Sequence, residues 1–404
     1  MHQIFTMKKS QKIILFLLST LNFTHILDFM IMMPLGVFLM PFFKISPLQF
    51  SFIVSAYTIS AGVSGFLAAF FVDNFDRKKI LLAAYIMFLI GTIACGIAPT
   101  YLLLLFARIF AGVFGGLIGA QVTSIVADTF SYETRGRAMG AVMSGFAVAS
   151  TLGMPFALYL ANKFSWHAPF LFVGLLGIIL IPFIAKFLPK MNGHITNEKQ
   201  SFKEKLTILT SVLKNKNQSN ALVFTFLMMG GHFLMIPFIN PYMIHNVGYD
   251  KDFTPLIYLV GGIASFISAN ILGKVADKHG KLKVYTWCLL LAIPLIFVIT
   301  NLPLGTKAYF TLFIFGLWFA VSTGRGVTGT AMVSNVVDAT SRGSFQSFNS
   351  SMQQLGTGLA AFVAGLIITE NVQSKAIIGY EIVGYLSVFV LLCSLYLARK
   401  IFKQ

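Results

Sequence analysis

Three charges sit where a bilayer would leave them short of water, and they are the first candidates for chemistry. Asp28 lies in NFTHILDFMIMMPLG, Arg108 in LLFARIFAGVFGG and Arg325 in STGRGVTG. An ionisable side chain inside a membrane span is costly and faces an interior cavity or a partner rather than lipid. A carboxylate in that position can take up and give back a proton, and an arginine can pair with it or with an anion. Of the 13 acidic residues, only Asp28 falls deep in an apolar run; the other acids fall near the ends of such runs or between them. It lies well into the first span, roughly 22 Å along at about 1.5 Å per residue, near the midplane. His25, one turn earlier, can share the proton or serve as a hydrogen-bonded packing residue. The alternative for Asp28 itself is a structural aspartate held permanently by an arginine or hydroxyl. Arg325 can bind an anionic group of a solute or a backbone carbonyl.

The elements that position these charges follow from composition. Hydrophobic residues make up 57% of the 404 and charged residues 11%, more apolar surface than a soluble domain can hide. With about 20 apolar residues per spanning helix, the chain divides into twelve candidate spans near 13–42, 47–71, 80–99, 102–127, 138–162, 166–188, 219–245, 253–273, 284–301, 308–333, 344–369 and 378–398. The expected fold is an all-α polytopic membrane protein of 12 transmembrane helices in two pseudo-symmetric six-helix bundles. The longest polar stretch, 189–218, separates an N-terminal bundle (1–188) from a C-terminal one (219–404) as a cytoplasmic linker.

The net charge of +17 reflects topology. With a cytoplasmic N-terminus, 23 of the 30 basic residues fall inside and five (Lys44, Lys163, Lys251, Lys307, Lys375) outside. That split is a positive-inside pattern with both termini cytoplasmic, and it argues against nucleic acid as a partner. After Lys12 the apolar run continues to about Phe43 with no small-residue cleavage site, so no cleavable signal is expected. Cys95, Cys288 and Cys393 lie in apolar runs without metal-site or disulfide spacing and read as packing residues.

The two halves repeat. His25 precedes Pro34 by nine residues, and His232 precedes Pro241 by nine, at an offset of 207. Arg135-Gly136 and Arg342-Gly343 share that offset, and Asp73 and Asp277 differ by 204. Duplicated six-helix halves related by an axis along the membrane normal are a transporter architecture.

The segment GKVADKHGK, Gly273 to Lys281, resembles the loop signature of the major facilitator superfamily, with Gly273, Asp277 and Gly280 in place. The first copy, AFFVDNFDRKK, keeps Asp73, Arg77 and Lys78 but has Ala69 and Asp76 where the pattern has glycines. LLFARIFAGVFGG resembles the span-four signature of proton-coupled members through Arg108 and Gly112. GAVMSGFAVASTLGMP resembles the span-five antiporter signature, with Ala149 replacing a glycine and Pro155 one place late. The resemblance covers the whole chain and points to the drug:proton antiporter branch, which also holds sugar and metabolite exporters.

The resemblance implies cytoplasmic gating by Asp73, Arg77, Lys78, Asp277, Gly273 and Gly280, with Asp128, Arg135, Asp338 and Arg342 in the same locks. It implies a proton-coupling role for Arg108, which the placement of charge inside the spans extends to Asp28 and His25. Pro155 interrupts its helix and with Gly153 is the candidate hinge, packing alone accounting for the glycines about as well. Gly140, Gly145, Gly153, Gly356, Gly358 and Gly365 are expected to permit close helix approach. Arg325, His232, Gln121, Asn240, Tyr242, Asn270, Gln353 and Gln354 are the candidates for a substrate cavity. No HExxH, GxSxG or GxxxxGK[ST] occurs, so neither an enzyme nor ATP drive is indicated, and no cofactor or metal is expected. The implied activity is proton-coupled efflux of a small amphipathic organic solute by a multi-pass, monomeric protein of the bacterial inner membrane. The partners are the small-molecule solute, protons and the lipid bilayer. The alternative is a proton symporter or facilitator importing a sugar, organic acid or metal chelate.

Overall fold

The first helix, α1 (Lys9–Phe43), is apolar enough to cross a membrane but not straight. Pro34 has no amide hydrogen to give, and a single 3₁₀ turn, Met33–Leu35, forms around it. The structure, a computed structural model, describes residues 8–192, 210, 212–337 and 342–402. The expectation on Asp338, and those on the side chains of Asp73, Arg135 and Arg342, lie outside the described residues.

Eleven helices among the described residues are long and apolar enough to span a bilayer. After α1 come α2 (Pro47–Phe71), α3 (Arg77–Gly96), α4 (Tyr101–Thr129), α5 (Arg137–Lys163) and α6 (His167–Phe187). The second set is α7 (Lys216–His245), α8 (Thr254–His279), α9 (Lys281–Thr300), α10 (Ala308–Ser334) and α12 (Tyr380–Ile401). Between the last two lies α11 (Arg342–Ile367), of spanning length but with a polar first half, RGSFQSFNSSMQQ. That half is sheltered by packing on α2 and α7 rather than by its own hydropathy. After it, Thr369–Glu370 and Ile377–Ile378 form a short antiparallel hairpin not expected from the sequence, pinned by Asn246 to both backbone groups of Ile377.

Neighbour relations repeat with a shift of six helices. In the first half α1 packs on α5 and α6, α2 and α3 on α4, and α3 on α6. In the second, α7 packs on α11 and α12, α8 and α9 on α10, and α9 on α12. The halves meet through α2 on α11 and α5 on α8, a pair of contacts that exchange under the same shift. The fold is therefore twelve helices in two pseudo-symmetric six-helix bundles. Phe16, Leu175 and Phe389 are exposed on its surface, as side chains facing lipid must be.

Glycines set the close approaches. A Cβ on Gly358 or Gly365 of α11 would collide with Thr58 or Ser51 of α2, and one on Gly356 with the carbonyl of Phe226 in α7. Gly145 and Gly153 face α1. Gly140 is a correction: open space surrounds it, so no helix approach depends on it. Around Pro155 the helix does not stop. It widens into a π turn, Ala149–Gly153, one residue before the proline's own turn, which absorbs the missing donor. In α7 the 3₁₀ turn falls at Ile236–Phe238, around Pro237. Pro241, which the offset of 207 aligns with Pro34, lies one turn later inside Ile239–His245.

Candidate functional site

Asp28 projects from α1 toward α4 and meets Arg108. Arg108 Nη1 donates to Asp28 Oδ2 at 2.8 Å and to the Asp28 carbonyl at 3.4 Å. Both residues are fully buried. Tyr57 of α2 completes the arrangement, with the guanidinium 4.2 Å above its ring. The sequence reading missed Tyr57, because a tyrosine in an apolar span looks like packing. Two α4 glycines let α2 come this close. A Cβ at Gly112 would sit 2.1 Å from Ser60 Oγ and 2.3 Å from the Tyr57 carbonyl, and one at Gly116 would sit 2.2 Å from the Ala61 carbonyl.

The pair is incompletely satisfied. Asp28 Oδ1, Arg108 Nε and the Tyr57 hydroxyl find no partner among the described residues. Thr92 and Cys95 of α3 flank the site. His25 lies beside it, its ring 5.6 Å from Phe88 and 6.3 Å from Tyr57, with both nitrogens unpartnered. A Cβ on Gly115 would fall 2.9 Å from His25 Nε2, so that glycine makes room for the imidazole. Gln121, further along α4, is fully buried with both amide atoms unpartnered. Unmet polar capacity is costly in a dry interior. Part of it here surrounds one carboxylate, the only buried acid among the described residues.

The remaining candidates separate. His232 stands against Trp318 with ring centroids 5.0 Å apart, and its Nδ1 is unpartnered. Arg325 is buried and its Nε and Nη1 are unpartnered. Gln353 and Gln354 are half-buried on α11. Asn240 donates to the Pro34 carbonyl at 2.6 Å, tying α7 to α1 where both helices break. Tyr242 is committed elsewhere, its hydroxyl shared between the carbonyls of Thr300 and Leu302. Asn270 is exposed and donates to the Phe266 carbonyl of its own helix at 2.8 Å.

At the end carrying the loop signatures, Arg77 forms a salt bridge with Asp128, joining the start of α3 to the end of α4. Lys78 donates to the Ala185 carbonyl at 2.7 Å, capping α6. Asp76, where the signature has glycine, caps α3 through the Lys79 amide and accepts from the Met191 amide. Gly280 has a φ of 93°, a conformation that glycine alone adopts cheaply, and joins α8 to α9. Gly273 faces open space. Asp277 is exposed and forms no salt bridge with another described residue.

A twelve-helix fold with a two-fold repeat and a buried ion pair beside the repeat interface defines a membrane transport protein rather than an enzyme. The chain belongs to the Major Facilitator Superfamily, whose family model matches residues 18–361. It is 24% identical over 373 residues to the uncharacterized MFS-type transporter YceJ of Bacillus subtilis (strain 168), covering 91% of this chain and 92% of that one. It is 23% identical over 267 residues to the purine ribonucleoside efflux pump NepI of Salmonella typhimurium, covering 65% of this chain and 66% of the relative. Among solved structures, the fold is similar to a bacterial homologue of the human lysosomal transporter Spinster (TM-score 0.75, 16% identity, 98% of both chains). It is equally similar to the nucleoside transporter NupG (TM-score 0.75, 15% identity, 97% of this chain and 100% of that one).

Proposed function

We propose that the protein exports a small organic solute in exchange for protons, by alternating access. The observation that carries this reading is the Asp28–Arg108 pair: one buried carboxylate, one buried cation and several unpartnered polar atoms around them. Protonating Asp28 cancels the charge that holds Arg108 at 2.8 Å and so changes how firmly α1 is tied to α4. A ligand or proton shifts a conformational equilibrium only through such a differential interaction. Protonation from the outer side favours solute release, and deprotonation on the inner side permits reloading. His25, one turn before Asp28 on α1, is the candidate to share the proton.

In this reading residues 1–188 and 219–404 rock as two bodies joined by the 189–218 linker, in a bacterial inner membrane with both termini cytoplasmic. One chain suffices as the working unit. The Asn240–Pro34 bond, with the Asn162 side chain donating to the Lys251 carbonyl, holds the halves together at the end opposite the loop signatures. The Arg77–Asp128 bridge and Gly280 belong to the other gate, and the π turn before Pro155 is the hinge.

The likeness to a purine ribonucleoside efflux pump makes purine ribonucleosides the first solutes to test. Purified protein in liposomes with an imposed pH gradient is assayed for radiolabelled inosine, adenosine and a cationic and an anionic organic solute. Movement of a solute against its gradient, toward the side from which protons leave, supports export. Movement with the protons reverses the direction to import, and equilibration that ignores the gradient rejects proton coupling.

A further inference from the structure

The second half contains a buried charge with no acid among the described residues to balance it. Arg325 is 2% exposed, and its Nε and Nη1 meet no acceptor among the described residues. Arg108, buried to the same degree, has a carboxylate at 2.8 Å and an aromatic face. The electrostatic neighbours of Arg325 are Tyr285 and Cys288 of α9, neither of which is an anion at neutral pH. A buried ion without a counter-ion carries a large desolvation cost, larger than a bilayer protein tolerates without compensation.

The arginine is not isolated. Trp318, Ser322 and Arg325 recur at i, i+4 and i+7 and share one face of α10. That face opposes α7, since a Cβ on Gly329, one turn further on, would strike Met228. His232 of α7 lies across from Trp318. Ser322 Oγ and His232 Nδ1 are also buried and unpartnered. A guanidinium, a hydroxyl and an imidazole, all with spare donor capacity, are the donor set of an anion site.

We propose that Arg325, with Ser322 and His232, receives an anionic group of the transported solute, a carboxylate or a phosphate. This rests on the transport reading above and adds the charge of the cargo. The charge count fits: besides Arg77, which pairs with Asp128, the described spans hold two buried arginines and one buried acid. An anion entering beside Arg325 supplies the missing negative charge. Inorganic chloride is the competing source of that charge.

The full-length protein in detergent is tested by thermal unfolding, titrated separately with sodium benzoate, sodium phosphate, benzamide and sodium chloride. We expect benzoate or phosphate to raise the midpoint saturably, and benzamide, the uncharged match, to leave it unmoved. Arg325→Gln abolishes that saturable response or weakens the apparent affinity by at least about tenfold, the order of a charge-assisted hydrogen bond. In low salt the variant unfolds no earlier than the wild type, because an uncompensated charge has been removed. Arg325→Lys, which keeps the charge, retains a weakened response and serves if the glutamine variant does not fold. A variant that keeps the full response overturns the proposal, as does a wild type that responds to none of the anions. Saturation by chloride alone, with benzoate and phosphate inert, assigns the site to a halide and overturns the assignment to solute. Each of these failures leaves solute-driven proton movement intact, whereas failure of the transport reading abolishes it.

Discussion

Replacing Asp28 with asparagine removes a charge and almost no volume. In the wild type its carboxylate takes a 2.8 Å bond from Arg108, both residues fully buried. The variant leaves the guanidinium without a counter-ion, a loss of about 3–5 kcal/mol for a buried pair broken on one side. The Tyr57 ring, 4.2 Å from the guanidinium, is there in both proteins and leaves this difference unchanged. The expected loss is therefore about 3–5 kcal/mol. Arg108→Gln alone strands the carboxylate and costs a similar amount. Together the two changes leave neutral amides side by side, and the double variant is expected within about 1 kcal/mol of wild type, because a buried pair is worth little against neutral partners. The assay is chemical unfolding in detergent followed by circular dichroism, read as a double-mutant cycle. If Asp28→Asn loses less than about 1 kcal/mol and the double variant equals the sum of the singles, the two side chains do not depend on each other and the reasoning fails.

Other outcomes follow from local geometry. Gly112→Ala drives a methyl into the Tyr57 carbonyl and Ser60, and is expected to cost about 1–3 kcal/mol and depress transport together with stability, measured by unfolding and flux on the same preparation. Gly140→Ala, in open space, is expected to be neutral or slightly stabilising by helix propensity, up to about 1 kcal/mol; a marked loss in unfolding assays would show an approach the structure lacks. Asp128→Asn breaks the bridge to Arg77 and, at a partly exposed site, costs at most about 1 kcal/mol of stability, so a large change in transport rate with a small change in unfolding identifies a gate. Tyr242→Phe loses a hydroxyl bound to two carbonyls and is expected to destabilise by about 1 kcal/mol without changing which solutes are carried; altered selectivity in a competition assay contradicts its structural placement.

Charge in apolar sequence was the most legible signal. Asp28 and Arg108 stood out because burial of either is too costly to be incidental, and they are found together. Eleven of the spans were legible from hydropathy, with edges within about six residues, and the repeat anticipated two related six-helix halves. Facing was not legible. Tyr57 looks like any aromatic in a span, and only the α2–α4 approach turns it onto Arg108. Tyr242 has the right polarity for a cavity, but its hydroxyl bonds backbone. Gly140 matches a motif without making a contact. Pro237 and Pro241 are equally able to break a helix, and the choice depends on how α7 packs against α1. These differences arise from tertiary contacts that composition and spacing do not encode.

The most direct test of proton coupling is solute-driven proton movement in liposomes, followed with an internal pH dye for wild type and Asp28→Asn. Wild type is predicted to move protons only when a transported solute is present, and the variant to bind the solute yet move none. Identical proton traces for the two proteins, with solute still crossing, would contradict the account and leave Asp28 a structural partner of Arg108.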